Sequence, residues 1–313
     1  AARILLSRVY LYMGEWQLAI DECDKVLALG CKLRDMNGLD EKWLNTVNSP
    51  EILFTQGSYA IGGLMNNNLS RYGITGGGRY RVSDELLALY KKYKNDGVVD
   101  LRESVFLEPS SSYCPGYFFI RKTPDYSNNR KGSVKVYDAC LIRSAEVYLN
   151  KAEAQAMLDQ PDAISTVKVL MEKRYKDSVL PAIDGLKGKE LVDFIREERR
   201  RELTCEGHRW FDLRRYAVSP KYPELKEITH GVYQSAMASL KPGVYDGSYT
   251  LKPYGQDNAW VLPITRLFLI EGLWWTTISG SLGRRMKINI KNCEYAKKYF
   301  CCTGNGVLLL REL

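Results

Sequence analysis

Apolar side chains in the first thirty residues recur every three or four positions, the period of an α-helix that buries one face. The first run places Ile4, Leu5, Val9 and Tyr12 on one stripe and reaches a turn at Met13-Gly14-Glu15. The second run carries its own stripe and stops at Gly30, a residue suited to the end of a helix. Its apolar positions are Trp16, Ala19, Ile20, Cys23, Val26 and Leu27. The pattern predicts a helical hairpin.

A second hairpin is predicted between Ala145 and Tyr175. Its first helix leads through the turn Asp159-Gln160-Pro161-Asp162 into a second helix that ends near Lys173. Either Pro161 or Asp162 suits the start of that helix. The spacing Leu-Tyr-x-Gly-x-Trp-x-x-Ala in the first hairpin is typical of tetratricopeptide repeats. Because the two copies lie more than a hundred residues apart, they do not predict a continuous solenoid.

The chain between the hairpins is rich in turns. Residues 49–55 predict a short strand, and Ser83 is the predicted cap of a helix that runs to Tyr93. Two irregular segments, 57–80 and 108–131, combine tyrosine with glycine, asparagine, serine or proline. Long segments of this kind commonly carry binding sites.

The strongest local pattern runs from Leu191 to Arg215. It predicts one amphipathic helix, a turn at Glu206-Gly207 and a second short helix. Glutamates alternate with the arginines at helical spacing, as in the pair Glu197 and Arg201, which favours ion pairs within the segment over a phosphate-binding face. We expect the segment to be structural. Its predicted contacts are Glu202, Glu206 and Asp212 paired with nearby arginines, and Trp210 buried.

Charge and cysteine content exclude several classes of protein. The 313 residues carry a formal net charge of +8, and residues 265–313 hold eight Lys or Arg against three Glu. The rest of the chain is close to neutral, so the composition predicts a solvated basic tail and no nucleic-acid partner. Eight cysteines lack the Cys-x-x-Cys spacing of zinc and redox sites, and there are only two histidines. No metal or other cofactor is predicted.

Both ends of the chain are unusual. It begins in helical register without an initiator Met, a helix cap or a signal peptide, which predicts a fragment of a longer protein. Residues 265–313 contain three of the eight cysteines and show no clean apolar period. We therefore divide the chain into a helical domain, residues 1–264, and an atypical basic tail, residues 265–313. An appended segment or a shifted reading frame would both produce such a tail.

Several of these motifs together resemble one known family. Residues 200–215, RRELTCEGHRWFDLRR, look like the signature of the SusD/RagB family of outer-membrane lipoproteins, and residues 143–154, RSAEVYLNKAEA, resemble its hallmark helix. The opening hairpin, the strand from Glu51 to Phe54, the block from Ser83 to Arg102 and the sequence WVLPI at 260–264 fit in the same order. Two features depart from the family, which usually has a preceding portion with a lipidated cysteine and a different sequence after Ile264.

The resemblance implies a mainly α-helical fold with tetratricopeptide-like hairpins, long irregular loops and a few short strands. It implies a surface protein that captures oligosaccharide, lies over a SusC-like TonB-dependent outer-membrane transporter and catalyses no reaction. Membrane attachment would come from a lipid anchor outside residues 1–313.

Oligosaccharide binding requires exposed aromatic faces beside hydrogen-bonding groups, because sugars combine apolar faces with many hydroxyls. Residues 57–81 supply that mixture. The predicted ligand-binding residues are Tyr59, Asn66, Arg71, Tyr72 and Tyr80. The second tyrosine-rich segment, with Tyr113, Tyr117 and Tyr126, ranks just behind.

Two other functions stay open at this point. A tetratricopeptide adaptor would bind peptides in a helical groove, although adaptors use contiguous repeats. A glycoside hydrolase would need two carboxylates about 5–9.5 Å apart, and 37 acidic residues leave many such pairs open. No local motif proposes one.

Overall fold

The computed structural model describes residues 1–39, 49–57, 82–109, 118–120, 122, 138–233, 245–260, 300–302 and 308–310. Within these ranges the chain is mainly α-helical, as predicted. The helices are α1 (Ala2–Met13), α2 (Trp16–Leu27), α3 (Asp84–Lys91), α4 (Arg102–Phe106), α5 (Ser144–Met157), α6 (Ala163–Met171), α7 (Gly188–Glu202) and α8 (Arg209–Ala217). The strands are β1 (Ile52–Gly57), β2 (Leu107–Pro109), β3 (Phe118–Ile120), β4 (Asp138–Arg143), β5 (Ile228–Tyr233), β6 (Tyr245–Leu251), β7 (Phe300–Cys302) and β8 (Leu308–Leu310).

The two predicted hairpins are both present, and they pack on each other. Helix α1 ends where Gly14 adopts the left-handed conformation with φ of 78°. Its N–H donates to the carbonyl oxygen of Leu11, and the N–H of Glu15 donates to that of Tyr10. Helix α5 lies against α1 and α2 of the first hairpin, against its own partner α6 and against α7. Small side chains let these helices approach closely. The fully or almost fully buried alanines of α5 are Ala145, Ala152, Ala154 and Ala156.

The buried face of α1 differs from the predicted stripe. Ile4, Ser7 and Leu11 are buried, whereas Leu5 and Val9 are 48% and 44% exposed. The amide of Asn150 in α5 donates to the Ser7 hydroxyl at 3.0 Å. Because this bond satisfies its hydroxyl, Ser7 is buried where hydrophobicity alone would predict Leu5 and Val9 to face the interior. The predicted apolar face was therefore wrong at Leu5 and Val9.

A second packing centre surrounds α3. The Ser83 hydroxyl accepts a hydrogen bond from the N–H of Leu86 at 3.2 Å, which confirms the predicted cap, and the helix ends at Lys91, two residues before the predicted end. Its buried Leu86 and Tyr90 pack with Phe106 from α4 and with residues of the small antiparallel sheet β2–β3. This centre holds the described residues on either side of the segment 110–117.

The chain divides into two units, Ala1–Asp257 and Asn258–Leu313. In the second unit the structure describes a short helical turn, Asn258–Trp260, and the antiparallel pair β7–β8. The predicted boundary after residue 264 stays a prediction. None of the described helices is long and apolar enough to cross a lipid bilayer.

Close packing of the two hairpins gives a first test. Ala154 is fully buried beside Leu11, Ala19 and Ile20, so Ala154→Leu should lower the free energy of unfolding by about 1–3 kcal/mol through overpacking. The exposed Ala2 in α1 provides the control, since Ala2→Leu should change it by less than about 0.5 kcal/mol. Urea unfolding followed by circular dichroism measures both, and equal effects would contradict the packing described.

Candidate functional site

The predicted ligand-binding residues Tyr59, Asn66, Arg71, Tyr72 and Tyr80 lie outside the described residues. The same holds for Tyr113, Tyr117 and Tyr126 of the second segment. Their assignment to a site therefore stays a prediction. What the structure describes is the chain on both sides of each tyrosine-rich segment.

The ends of the two tyrosine-rich segments lie next to each other. Strand β1 pairs antiparallel with β4, and the last pair in their register is Gly57 with Asp138. The first segment leaves the ladder at Gly57, and the second returns to it at Asp138. At the far end of the first segment, the N–H of Val82 donates to the carbonyl oxygen of Phe118 at 2.8 Å. The segments that the sequence treats as alternative sites thus adjoin each other at two places, Gly57 with Asp138 and Val82 with Phe118, which we call their shared base.

A cluster of buried charges stands at the other end of this ladder. Glu51 precedes β1, Arg143 ends β4, and Glu202 ends α7; all three side chains are at most 1% exposed. The Glu202 carboxylate accepts hydrogen bonds from three guanidinium groups, at 2.5 Å from Arg143, 2.9 Å from Arg174 and 3.2 Å from Arg102. We call Glu51, Glu202, Arg102, Arg143 and Arg174 the Glu202 cluster.

Electrostatics explains how these carboxylates remain ionised inside the protein. Burial raises the pKa of the Glu202 carboxyl, but Arg174, Arg143 and Arg102 outweigh burial and hold that pKa well below its ordinary value. A carboxylate removed from water is stable only when it is paired and hydrogen-bonded, and here both oxygens accept from arginine.

Lys122 joins the second tyrosine-rich segment to the cluster. Its ammonium group is buried, donates to the Glu202 carbonyl oxygen at 2.6 Å and to Glu206 Oε1 at 2.5 Å, and lies 4.1 Å from the centre of the Phe106 ring. Glu206 also accepts from Arg143 at 2.8 and 2.9 Å. Burial raises the pKa of Glu206, but Arg143 and Lys122 lower it to about 2. These contacts fix the chain at Lys122 itself.

A second set of buried charges lies between α5, α7 and α8. Asp212 accepts from Arg199 and from Arg215, each at 2.9 Å, and Arg215 binds both oxygens of Glu153 at 2.7 Å. Arg199 also donates to the side-chain carbonyl of Asn150 at 2.7 Å. These bonds attach α8 to the hairpin helix α5.

The segment 191–215 is structural, but its pairing is mostly not internal. The predicted arginine partners of Glu202, Glu206 and Asp212 are confirmed. The arginines that bind Glu202 and Glu206 come from other elements. In the predicted pair Glu197–Arg201 the charged atoms are 3.8 Å apart. Sequence spacing within a helix shows only neighbours three or four positions away, so it missed Arg102, Arg143 and Arg174. Trp210 is half-buried, whereas we expected it to be buried.

The carboxylates of Glu198, Glu202 and Glu206 are buried and bound by arginine or lysine. Their hydrogen bonds join separate parts of the chain, which is a supporting role. Among the described residues, no group of three or more His, Cys, Asp or Glu side chains could hold a metal ion.

Comparison with known proteins gives a family match and several structures with a similar fold. Residues 36–267 match the model of the SusD family. SusD-like protein P38 of Formosa agariphila is 40% identical over 100 residues, which is 30% of this chain and 20% of that protein. A putative sugar binding protein of Bacteroides vulgatus has a similar structure, with a TM-score of 0.58 and 22% identity over 86% of this chain and 56% of the other. A SusD-like carbohydrate binding protein of the same organism gives a TM-score of 0.53 at 20% identity, over 86% and 57%.

The chain belongs to the SusD family, since the family model covers well over half of it. It spans little more than half the length of the two solved structures and a fifth of the Formosa protein. At 20–22% identity the structural likeness establishes the fold.

Loss of charge at Glu202 tests the cluster. Glu202→Gln leaves three buried guanidinium groups short of a carboxylate, so it should lower the free energy of unfolding by about 3–5 kcal/mol. Glu197→Gln on the same helix removes a carboxylate that is 34% exposed and paired with Lys92, and it should cost less than about 1 kcal/mol. Urea unfolding at pH 7.5 measures both variants. If Glu202→Gln unfolds at the urea concentration of the unmodified protein, the cluster does not stabilise the fold.

His208 gives the structure a defined response to acid. Burial, with Arg199 and Arg8 nearby, lowers the pKa of His208 to about 4, although Glu146 acts in the opposite direction. In the unfolded chain a histidine titrates near 6.5, so between pH 6.5 and 4 only the unfolded state binds this proton. Stability from this group is complete above pH 6.5 and declines as the pH falls toward 4, by about 2 kcal/mol at pH 5.

The second histidine is a matched control. His230 lies exposed on β5. Urea unfolding at pH 7.5 and pH 5 should show that His208→Gln removes about 2 kcal/mol of acid destabilisation and that His230→Gln leaves it in place. The same pH dependence in all three proteins would mean that His208 is not buried in its neutral form.

Proposed function

We propose that this protein binds oligosaccharides at the cell surface without converting them. Its membership of the SusD family supports this function, as do the names of its structural relatives, which include a sugar binding and a carbohydrate binding protein. The observation that carries the proposal is the shared base of the two tyrosine-rich segments, Gly57 beside Asp138 and Val82 bonded to Phe118. Both segments that carry candidate aromatic residues therefore start or end on neighbouring parts of the described chain.

The first segment provides the main contacts in this proposal. Tyr59, Tyr72 and Tyr80 supply flat apolar faces with only two side-chain torsions to restrict, which limits the entropy lost on binding. Asn66 and Arg71 donate hydrogen bonds to sugar hydroxyls. With few contacts of this kind, we expect a dissociation constant in the micromolar to millimolar range, or about −4 to −8 kcal/mol of binding free energy.

The proposed route of the ligand leads into the cell. The protein hands its oligosaccharide to a SusC-like TonB-dependent transporter in the outer membrane and is held there by a lipid anchor outside residues 1–313. Family membership supports this role. The buried charges at the opposite end of the β1–β4 ladder suit this role too, because a receptor that releases its ligand intact needs a rigid support and no reactive carboxylate.

Titration calorimetry tests the proposal. After a glycan array on the full-length protein identifies a ligand, Tyr59→Ala, Tyr72→Ala and Tyr80→Ala should each weaken its binding by roughly 5- to 100-fold, equivalent to about 1–3 kcal/mol per lost ring contact. Tyr249→Ala removes an aromatic ring that is 75% exposed on β6 and serves as the control with no expected effect.

Two outcomes would contradict the proposal in different ways. Normal binding by the first three variants, with loss in Tyr117→Ala, would assign the contacts to the second segment. If the protein released shorter sugars in the wells of the glycan array, it would be an enzyme.

A further inference from the structure

Helix α1 has its polar residues on the side that faces the rest of the protein. Ser7 is buried and accepts a hydrogen bond from Asn150. The guanidinium group of Arg8 binds both carboxylate oxygens of the buried Glu146, at 2.6 and 2.7 Å. This side of α1 packs on α2 and α5. The apolar residues of the helix are therefore not all used for that contact.

The opposite side of α1 is apolar and exposed. Leu5, Leu6, Val9 and Met13 recur at helical spacing and are between 38% and 66% exposed. We call these four residues the α1 outer face. Single exposed apolar side chains are ordinary on a protein surface, but four on one side of a helix form a patch. A helix that meets water on one side normally carries polar residues there.

Helix α6 of the second hairpin shows the ordinary arrangement. Its outer side has Ser165, Lys168 and the following Glu172 around the exposed Val169, and the fully buried Val167 lies on the other side. In a stack of helical repeats, a hairpin that meets water has a polar outer side. The first hairpin lacks one, so its outer side has the character of an interior repeat.

A cavity of about 540 Å³ opens beside the first turn of α1. Arg3 of α1, Val26 of α2 and Leu53 of β1 are among the residues that line it. Leu29 also lines it and is 80% exposed. The exposed apolar surface of the first hairpin thus includes a recess with room for apolar side chains of a covering element.

Proteins of this fold are long enough to supply such an element from their own chain. Residues 1–313 span little more than half the length of the two solved structures. We propose that an amphipathic helix of the full-length protein, outside residues 1–313, packs on the α1 outer face. The inference is independent of the ligand and goes beyond the proposed function.

The spacing of the α1 outer face defines the kind of partner. Leu5, Val9 and Met13 follow each other at four-residue intervals, which forms a ridge that fits the groove of a second helix. The covering helix carries its own apolar stripe toward this ridge and polar residues toward water. Burial of the two stripes against each other removes apolar surface from water and stabilises the full-length protein.

Hydroxyl-radical footprinting of the full-length protein, read by mass spectrometry, measures the exposure of these side chains directly. Two valines of α6 provide internal standards, Val167 for a buried side chain and Val169 for an exposed one. Val9 should be labelled as slowly as Val167. Labelling of Val9 at the rate of Val169 would overturn the inference. Protection of Val9 that is lost when the protein is diluted to a monomer would assign the face to a second copy, which also overturns it.

A matched pair of variants of the full-length protein gives a second test. Val9→Lys places a charge in the proposed helix contact, so the melting temperature should fall by about 5 °C or more. Val169→Lys makes the same substitution at a similarly exposed valine on a polar helix face, and it should change the melting temperature by less than about 1 °C. Equal melting temperatures of the two variants would show that the α1 outer face meets water in the full-length protein and would overturn the inference.

Discussion

The structure depends on the burial of one carboxylate among three guanidinium groups. Glu202 is fully buried, and Arg102, Arg143 and Arg174 reach it from a short helix, the end of a strand and the loop after a hairpin. Removing such charges from water is costly, and only the complete set of hydrogen bonds offsets that cost. Because each partner left alone would be an uncompensated buried charge, the cluster couples the stability of these elements. The cluster thus does for separate pieces of chain what a shared apolar core does for the stacked hairpins.

The Glu202 cluster bears on the proposed function because of where it lies relative to the tyrosine-rich segments. Glu51 and Arg143 flank one end of the β1–β4 ladder, and the tyrosine-rich segments leave and return at the other end. Lys122 adds a fixed point within the second segment by binding Glu206 and the Glu202 carbonyl. Long polar segments cannot build a core of their own, so what orders their ends must come from outside them. In this protein buried charges hold Lys122 and the end of the ladder at Glu51 and Arg143.

Much of the fold could be predicted because its causes are local. The turn at Gly14, the Ser83 cap and the helix break at Gly207 follow from the conformations that glycine and serine favour. The buried face of α1 could not be predicted in the same way, since Ser7 is interior only because Asn150 meets it from another helix. The partners of Glu202 could not be predicted for the same reason, since Arg102, Arg143 and Arg174 are 28 to 100 positions away in the chain.

The most direct test of the cluster's role is native-state hydrogen exchange of the backbone amides of β1 and β4. If the Glu202 cluster holds the ladder in place, Arg174→Met should speed exchange at these amides by about tenfold or more, a loss of roughly 1.4 kcal/mol in local stability. Amides of α3, which Arg174 does not contact, should change less than those of the ladder. Exchange that accelerates equally in both regions, or in neither, would contradict the account.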